Sequence, residues 1–255
     1  GMGFKHSIPV SGQPYTRKLD WSIHQVLSAI AQSASKFAND LRLLSHEGEI
    51  EEPSESKQIG SSAMAYKKNP MRCERVNALA RYVIEASNTS AHTAASQWLE
   101  RTLDDSAIRR IAIPESFLAI DGILMLIENV TKGLVVYPKV IEKKLTEQLP
   151  FLATEEILMA GVEAGGDRQD LHERVRVHSR AAAHAVKAEG KPNPLLELIA
   201  QDPAFGAIKD RLPDLLQPSR FVGRCAEQVD AFVEQEVQPR LAGVDLEGMA
   251  GELRV

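Results

Sequence analysis

The chain has 255 residues, 44% hydrophobic and 25% charged, which is enough to bury a sizeable core and too ordinary for a disordered, collagen-like or disulfide-stapled protein. Its 30 Lys and Arg stand against 35 Asp and Glu, a net charge of -5, so no global basic field marks nucleic acid as a partner. Any bound anion must be held by a local cluster. Cys73 and Cys225 have no metal-ligand spacing and form no disulfide framework, so they read as thiols of a reducing cytosol. The most apolar stretch, residues 111–130, is interrupted by Pro114, Glu115, Asp121 and Glu128, which a bilayer-spanning helix would not tolerate cheaply. Residues 1–6 lack the apolar run of a secretory signal, and a cytoplasmic protein without membrane contact is expected.

From Leu19 to Leu44, apolar residues recur at Ile23, Val26, Ile30, Ala34, Phe37, Leu41 and Leu44, steps of three and four that draw one stripe along a long helix. Such a stripe demands partner helices. Residues 45–70 break the pattern with Gly48, Pro53, Gly60, several serines and Pro70, a long polar connection. Periodicity resumes over about 71–98 and again over about 106–132, with Gly133 as a C-cap and Pro114 kinking rather than ending the last helix. Beyond residue 135 the helical segments shorten, to about 139–148, 154–164, 168–189 stopped by Gly190, 195–201 and 224–241. No strand of convincing length and no internal repeat is visible. Low aromatic content with plentiful Ala and Leu suits helix-on-helix packing. The expectation is an all-α chain: a partial long-helix bundle domain over 1–134, then a small helical C-terminal domain over 135–255.

The informative segment is Gly60-Ser61-Ser62-Ala63-Met64-Ala65-Tyr66-Lys67-Lys68-Asn69-Pro70, inside a connection of about residues 47–70. Taken on its residues, it is either a solvated linker or a cradle for an anion; it lacks the G-x-x-x-x-G-K-[ST] spacing of a P-loop. Ser106 and Arg110 lie four apart near a helix start, on one face, with helix amides and dipole favouring an anion there, and Arg101 sits just upstream. The alternative is a surface ion-pair cluster of Arg109 and Arg110 with Asp104 and Asp105. His172 and His178 are six apart, without the i, i+4 spacing of helical metal ligands, so surface or helix-end roles are expected and no metal site is.

The Gly60–Pro70 segment resembles the G-S-S-x-M-P-x-K-x-N-P signature of the fumarase/aspartase superfamily of lyases. Flanking stretches narrow the resemblance to adenylosuccinate lyases of the animal type: Ser11-Gly12-Gln13-Pro14-Tyr15-Thr16-Arg17-Lys18, Asp40-Leu41-Arg42-Leu43-Leu44, Glu51-Glu52-Pro53, Met71-Arg72-Cys73-Glu74-Arg75, the run from Gln97 to Ser106, the run from Gly133 to Pro138, and Arg168 to Glu173. The resemblance implies β-elimination of fumarate from adenylosuccinate, giving AMP, and from the succinyl-carboxamide ribotide of purine biosynthesis. That chemistry removes a proton next to a carboxylate, so it needs a base and an anion-stabilising environment. By resemblance Ser61 is the base, Lys67 and Asn69 stabilise the developing dianion, and Gln13, Arg75, Arg101, Ser106 and Arg110 bind the nucleotide substrate. No cofactor or metal is implied, and a homotetramer formed through the central helices is. Argininosuccinate lyase is the alternative within the enzymes, although its substrate has no phosphate for Ser106 and Arg110; a non-catalytic helical assembly module is the alternative outside them.

The sequence departs from the pattern in two places. Ala65 stands where the family has proline, which makes the connection about 0.4–1 kcal/mol harder to order if the native backbone suits proline. The family's general-acid histidine and a second substrate-contacting histidine lie in segments upstream of the Ser11 stretch that are not in this sequence. A fragment without turnover of its own is therefore expected.

Overall fold

The computed structural model describes residues 3–54, 64, 66–99 and 103–244. It divides into two compact units, with the boundary between Tyr137 and Pro138. Among the described residues the elements are helical apart from two strands of two residues each.

The first unit is built on α1 (Lys18–His46), α2 (Met71–Ala95) and α3 (Asp105–Gly133). Contacts of Arg17 with Gln97, His24 with Ser90 and Ser35 with Asn77 set α1 antiparallel to α2. Tyr82 with Glu115 does the same for α2 and α3, and Arg17 with Asp105 runs α1 parallel to α3. The core comprises Leu27, Ala31, Ala34, Ala38 and Leu41 of α1, Cys73, Val76, Ala80 and Val83 of α2, and Ile120, Ile123, Leu126 and Val130 of α3. Four small residues on the facing stripes, Ala31, Ala34, Ala38 and Ala80, let the helix backbones approach closely.

This corrects the α1 stripe in part: Ala34 and Leu41 are buried as expected, the others are not. Ile23, Val26 and Leu44 are exposed, while Ile30 and Phe37 are only half-buried. Val26, Ile30 and Phe37 fall one position off the core residues Leu27, Ala31 and Ala38, and with Leu124 and Ile127 they line an open apolar groove of about 700 Å³.

A two-residue ladder was also not expected: β1 (Ile50–Glu51) pairs antiparallel with β2 (Val135–Val136), Ile50 opposite Val136. It ties the start of the α1–α2 connection to the end of α3. Gly133 is a further correction, because its φ is not positive and it is no left-handed cap; a Cβ there would lie 2.5 Å from the Pro53 Cβ. Close approach demands the glycine. Pro114 sits within α3, which continues past it to Gly133.

The second unit contains α4 (Pro138–Leu152), α5 (Thr154–Glu163), α6 (Arg168–Glu189), α7 (Leu195–Gln201), a 3₁₀ segment (Pro203–Arg211) and α8 (Leu212–Leu215), followed by short helical turns to Leu241. Its core gathers Ile157, Leu158, Leu171, Val175, Leu195, Ile199, Phe205, Ile208 and Leu212. Helix α6 is capped at both ends, by the Asp167 carboxylate accepting from the Asp170 amide at 2.9 Å and by Gly190 at φ +66°. His178 Nε2 lies 2.9 Å from Asp202, whose carboxylate also meets Arg174 at 3.1 Å and caps the 3₁₀ segment through the Ala204 amide at 3.0 Å. His178 thus serves a helix junction.

Candidate active site

The residues marked out by the sequence fall into two clusters at opposite ends of the three-helix bundle. At one end stand the Gln13 segment, the start of α1, the end of α2 and the start of α3; at the other stand the end of α1, β1, the approach to α2 and its first turn. The length of α2 separates them, about 36 Å at 1.5 Å per residue.

At the first end, ion pairs between side chains fix the backbone. Arg17 Nε donates to Asp105 Oδ2 at 2.5 Å, both side chains being nearly buried, and the Arg17 amide donates to Gln97 Oε1 at 3.1 Å. Arg109 Nε donates to Asp20 Oδ2 at 2.5 Å, and Arg109 and Asp20 both bond the Tyr15 hydroxyl. The guanidinium groups of Arg17 and Arg109 also stand 4.7 and 5.5 Å from the Tyr15 ring centroid. Burial and the hydrogen bond to Asp20 push the Tyr15 phenol above its ordinary value, and the Asp20 hydrogen bond raises Arg109. One turn deeper, buried His24 sits between the Ser90 hydroxyl and the Ala112 carbonyl, 3.3 Å from Nε2.

Among the described residues, this network does not engage the side chains of Ser106 and Arg110, two of the predicted phosphate anchors. Ser106 is half-buried in the first turn of α3, and Arg110 is exposed, without a hydrogen bond or ion pair among the described residues. Arg109, not Arg110, is the member bound in an ion-pair cluster, and its partner is Asp20. Gln13 is exposed on the segment leading to Tyr15. Arg101 lies outside the described residues.

At the second end, Lys67 and Asn69 line a cavity of about 180 Å³ together with Glu51, Glu52, Lys68 and Arg72. Lys68 Nζ donates to Glu51 Oε2 at 2.7 Å, whereas Lys67 has no hydrogen bond or ion pair from its side chain among the described residues. Burial works to raise the Glu51 carboxyl, yet hydrogen bonds from Lys68 and Tyr137 with the Lys68 charge outweigh it and hold it below the usual range. Arg75 is exposed on the first turn of α2 and does not line this cavity. Ser61 and Ala65 lie outside the described residues. Cys73 is buried, and burial together with Glu52 pushes its thiol far up, so it is no nucleophile. Among the described residues, no three His, Cys, Asp or Glu side chains gather to hold a metal ion, and no helix is long and apolar enough to cross a membrane.

Sequence reasoning missed Glu51, Glu52, Tyr15 and Asp20 as parts of these clusters, and gave Arg109 Asp104 and Asp105 as partners instead of Asp20. Apart from the Tyr15–Asp20 bond, their partners are distant in sequence, so local spacing does not reveal them; only the Glu51-Glu52-Pro53 and Pro14–Lys18 stretches carried a signal, through their resemblance to the family.

Residues 150–232 match the family model described as adenylosuccinate lyase C-terminus, and residues 19–84 match that described as lyase. The chain is 52% identical over 240 residues to the adenylosuccinate lyase of Saccharomyces cerevisiae and 49% identical to that of Schizosaccharomyces pombe, in each case over 94% of this chain and 50% of the relative. It therefore spans about half the length of the curated relatives it matches. Among solved structures, a fumarate lyase from Mesorhizobium sp. BNC1 superposes with a TM-score of 0.70 at 24% identity, covering 86% of this chain and 48% of that one. The 3-carboxy-cis,cis-muconate lactonizing enzyme of Pseudomonas putida superposes at 0.71 with 22% identity, over 87% and 48%. These two likenesses concern the fold.

Proposed function

The chain belongs to the adenylosuccinate lyase family, and from that premise we propose that it supplies the central and C-terminal part of a lyase releasing fumarate from adenylosuccinate and from the succinyl-carboxamide ribotide of purine biosynthesis. Ser61 removes the proton beside the carboxylate. Lys67 and Asn69 meet the charge that develops there: an ammonium and an amide already oriented cost no reorganisation as the dianion forms. Ser106, Arg110 and Arg101 take the phosphate, with Gln13 and Arg75 completing the substrate contacts. Arg110 suits this role because its near neighbour Arg109 is bound to Asp20 while its own guanidinium stays open to an anion.

The observation that carries the reading further is the separation of the two clusters. A nucleotide bearing one succinyl group is too short to bridge about 36 Å, so no single bundle holds both its ends. Each site then combines the Lys67 end of one chain with the Arg110 end of another, and the protein is a homotetramer joined through its central helices. The open groove of Val26, Ile30, Phe37, Leu124 and Ile127 is the apolar surface such a neighbour covers. The site is cytoplasmic in this reading, where Cys73 and Cys225 remain thiols.

Mixing two impaired variants, assayed at substrate well below the KM of Arg110→Ala, tests the arrangement. Lys67→Ala and Arg110→Ala versions of the full-length lyase, dissociated and reassembled together, should regain activity at about one quarter of sites, since half of each required end is intact and the two are drawn independently. Absence of recovery with confirmed mixed oligomers would place both ends of the site in one chain and defeat the proposal.

A further inference from the structure

Helix α2 starts at Met71 behind Pro70, which offers no side-chain cap. Its first amides are met instead by a carboxylate from the far side of the connection: Glu52 Oε2 accepts from the Arg72 amide at 3.0 Å and Oε1 from the Cys73 amide at 2.7 Å. Two otherwise orphaned N–H groups are satisfied, and the negative charge lies at the positive end of the helix dipole. A third donor comes from the same helix, because the buried Arg72 guanidinium donates to the Pro53 carbonyl. Pro53 in turn packs against Gly133 so closely that no Cβ fits there. The segment leaving β1 is thereby fixed to α2 by three hydrogen bonds, all donated from α2, and to α3 by contact.

The segment entering α2 is held at the same spot. Lys68 reaches Glu51 at 2.7 Å, and the Asn69 carbonyl accepts from the Met71 amide at 2.8 Å. Three cations line the cavity here; Lys68 is engaged by Glu51 and Arg72 by Pro53, whereas the Lys67 ammonium has no protein partner among the described residues. The arrangement neutralises one neighbour, buries the other and leaves Lys67 to an incoming anion.

The geometry points to Glu52, aided by Glu51, as a positioning residue that joins both ends of the signature connection at the N-terminus of α2 and so presents Lys67 and Asn69 to the reacting carboxylate. This assignment rests on the lyase reading. In the full-length lyase, Glu52→Ala should lower kcat about 10- to 100-fold, the scale of a misplaced catalytic group, while KM for adenylosuccinate moves less than about threefold because the phosphate is held at the other end. Glu52→Gln, which keeps one acceptor oxygen, should recover part of that loss. In the 255-residue chain, trypsin should cut after Lys67 and Lys68 faster in Glu52→Ala and Glu51→Gln than in the wild type, under conditions where circular dichroism reports all three folded. Unchanged kcat in Glu52→Ala, a KM rising in step with the loss of kcat, or cleavage no faster than in the wild type overturns the assignment. If Glu52→Ala fails to fold, Glu52→Gln and Glu51→Gln decide by the same readouts. Inactivity of the wild-type full-length enzyme on adenylosuccinate defeats the lyase reading instead, and proteolysis alone then decides whether Glu52 clamps the segment.

Discussion

At the Arg17 end of the bundle, arginines are bound to the protein's own carboxylates; at the Lys67 end, a carboxylate goes to backbone amides and a lysine is left uncommitted. The side chains of Arg17 and Asp105 are 10% and 7% exposed, against 50% and 28% for Lys68 and Glu51. A salt bridge in water contributes little, whereas a buried one cannot lose a partner without stranding a charge. The first end is therefore held by electrostatics and the second by capping and contact. Both leave one cation, Arg110 or Lys67, free of protein partners among the described residues.

Neither end is expected to act alone. The 255-residue chain by itself should release no fumarate from adenylosuccinate above buffer, since the resemblance leaves no histidine in a matching position to protonate the departing amine. It should nonetheless scatter light as a species larger than one chain, because the Val26 to Ile127 groove requires cover. Turnover by the chain would move the acid role to a residue present here, and a folded monomer would remove the central-helix interface.

Within the full-length lyase, the ends should separate kinetically. Ser61→Ala should lower kcat by at least about 10³-fold with the urea midpoint unmoved, in line with general-base contributions of that order. Arg110→Ala should weaken AMP-containing ligands by about 1.5–3 kcal/mol and leave fumarate binding nearly unchanged, as measured by calorimetry. Equal losses for both ligands would take Arg110 away from the phosphate.

Stability should divide along the same line. Arg17→Met strands the Asp105 carboxylate and should lower unfolding free energy by about 3–5 kcal/mol in urea titration. Lys68→Met removes the same kind of pair from an exposed position and should leave the midpoint essentially where it was.

The subtlest difference is in pH response. Glu51 has a lowered folded-state pKa, so its contribution is present above the ordinary carboxylate range and is lost as pH falls through the folded value. Tyr15 has a raised one, so its contribution is present below the ordinary phenol value and is lost as pH rises through the folded value. Amide protection at Val135 and Val136 should fade first in acid, and the phenolate absorbance of Tyr15 should appear late in alkali. The reverse order would mean that the two networks are not independent.

The long helices of the first unit were legible because periodicity over many residues is hard to mistake, and Gly190 was read correctly because it does stop α6 in the left-handed region. Gly133 was misread: a close approach by Pro53 is not written near it in the sequence. The α1 stripe was right at Ala34 and Leu41 and wrong at Ile23, Val26 and Leu44, because counting bulky residues finds the face that awaits cover and passes over Ala31 and Ala38, which the intrachain core uses for close helix packing. Lys67 and Asn69 came from a motif, so their identities were visible and their setting was not. Glu52 capping an amide at Cys73, or Arg17 meeting Asp105, depends on chain reversals that no local pattern encodes. Ser61 and Arg101, the proposed base and a proposed phosphate contact, lie outside the described residues.

Pro114 gives α3 a mechanical character. A proline within a helix has no N–H to offer the residue four positions earlier, so the carbonyl of Arg110 lacks its intrahelical donor. The helix is thus two rods in series: a short one bearing Ser106 and Arg110, moored to α1 through Asp105 and Arg109, and a longer one seated in the core by Ile120, Ile123, Leu126 and Val130. Their joint is one turn past Arg110. A change at the Ser106 end meets this weakened joint before it reaches the Gly133 end, which is pressed against Pro53.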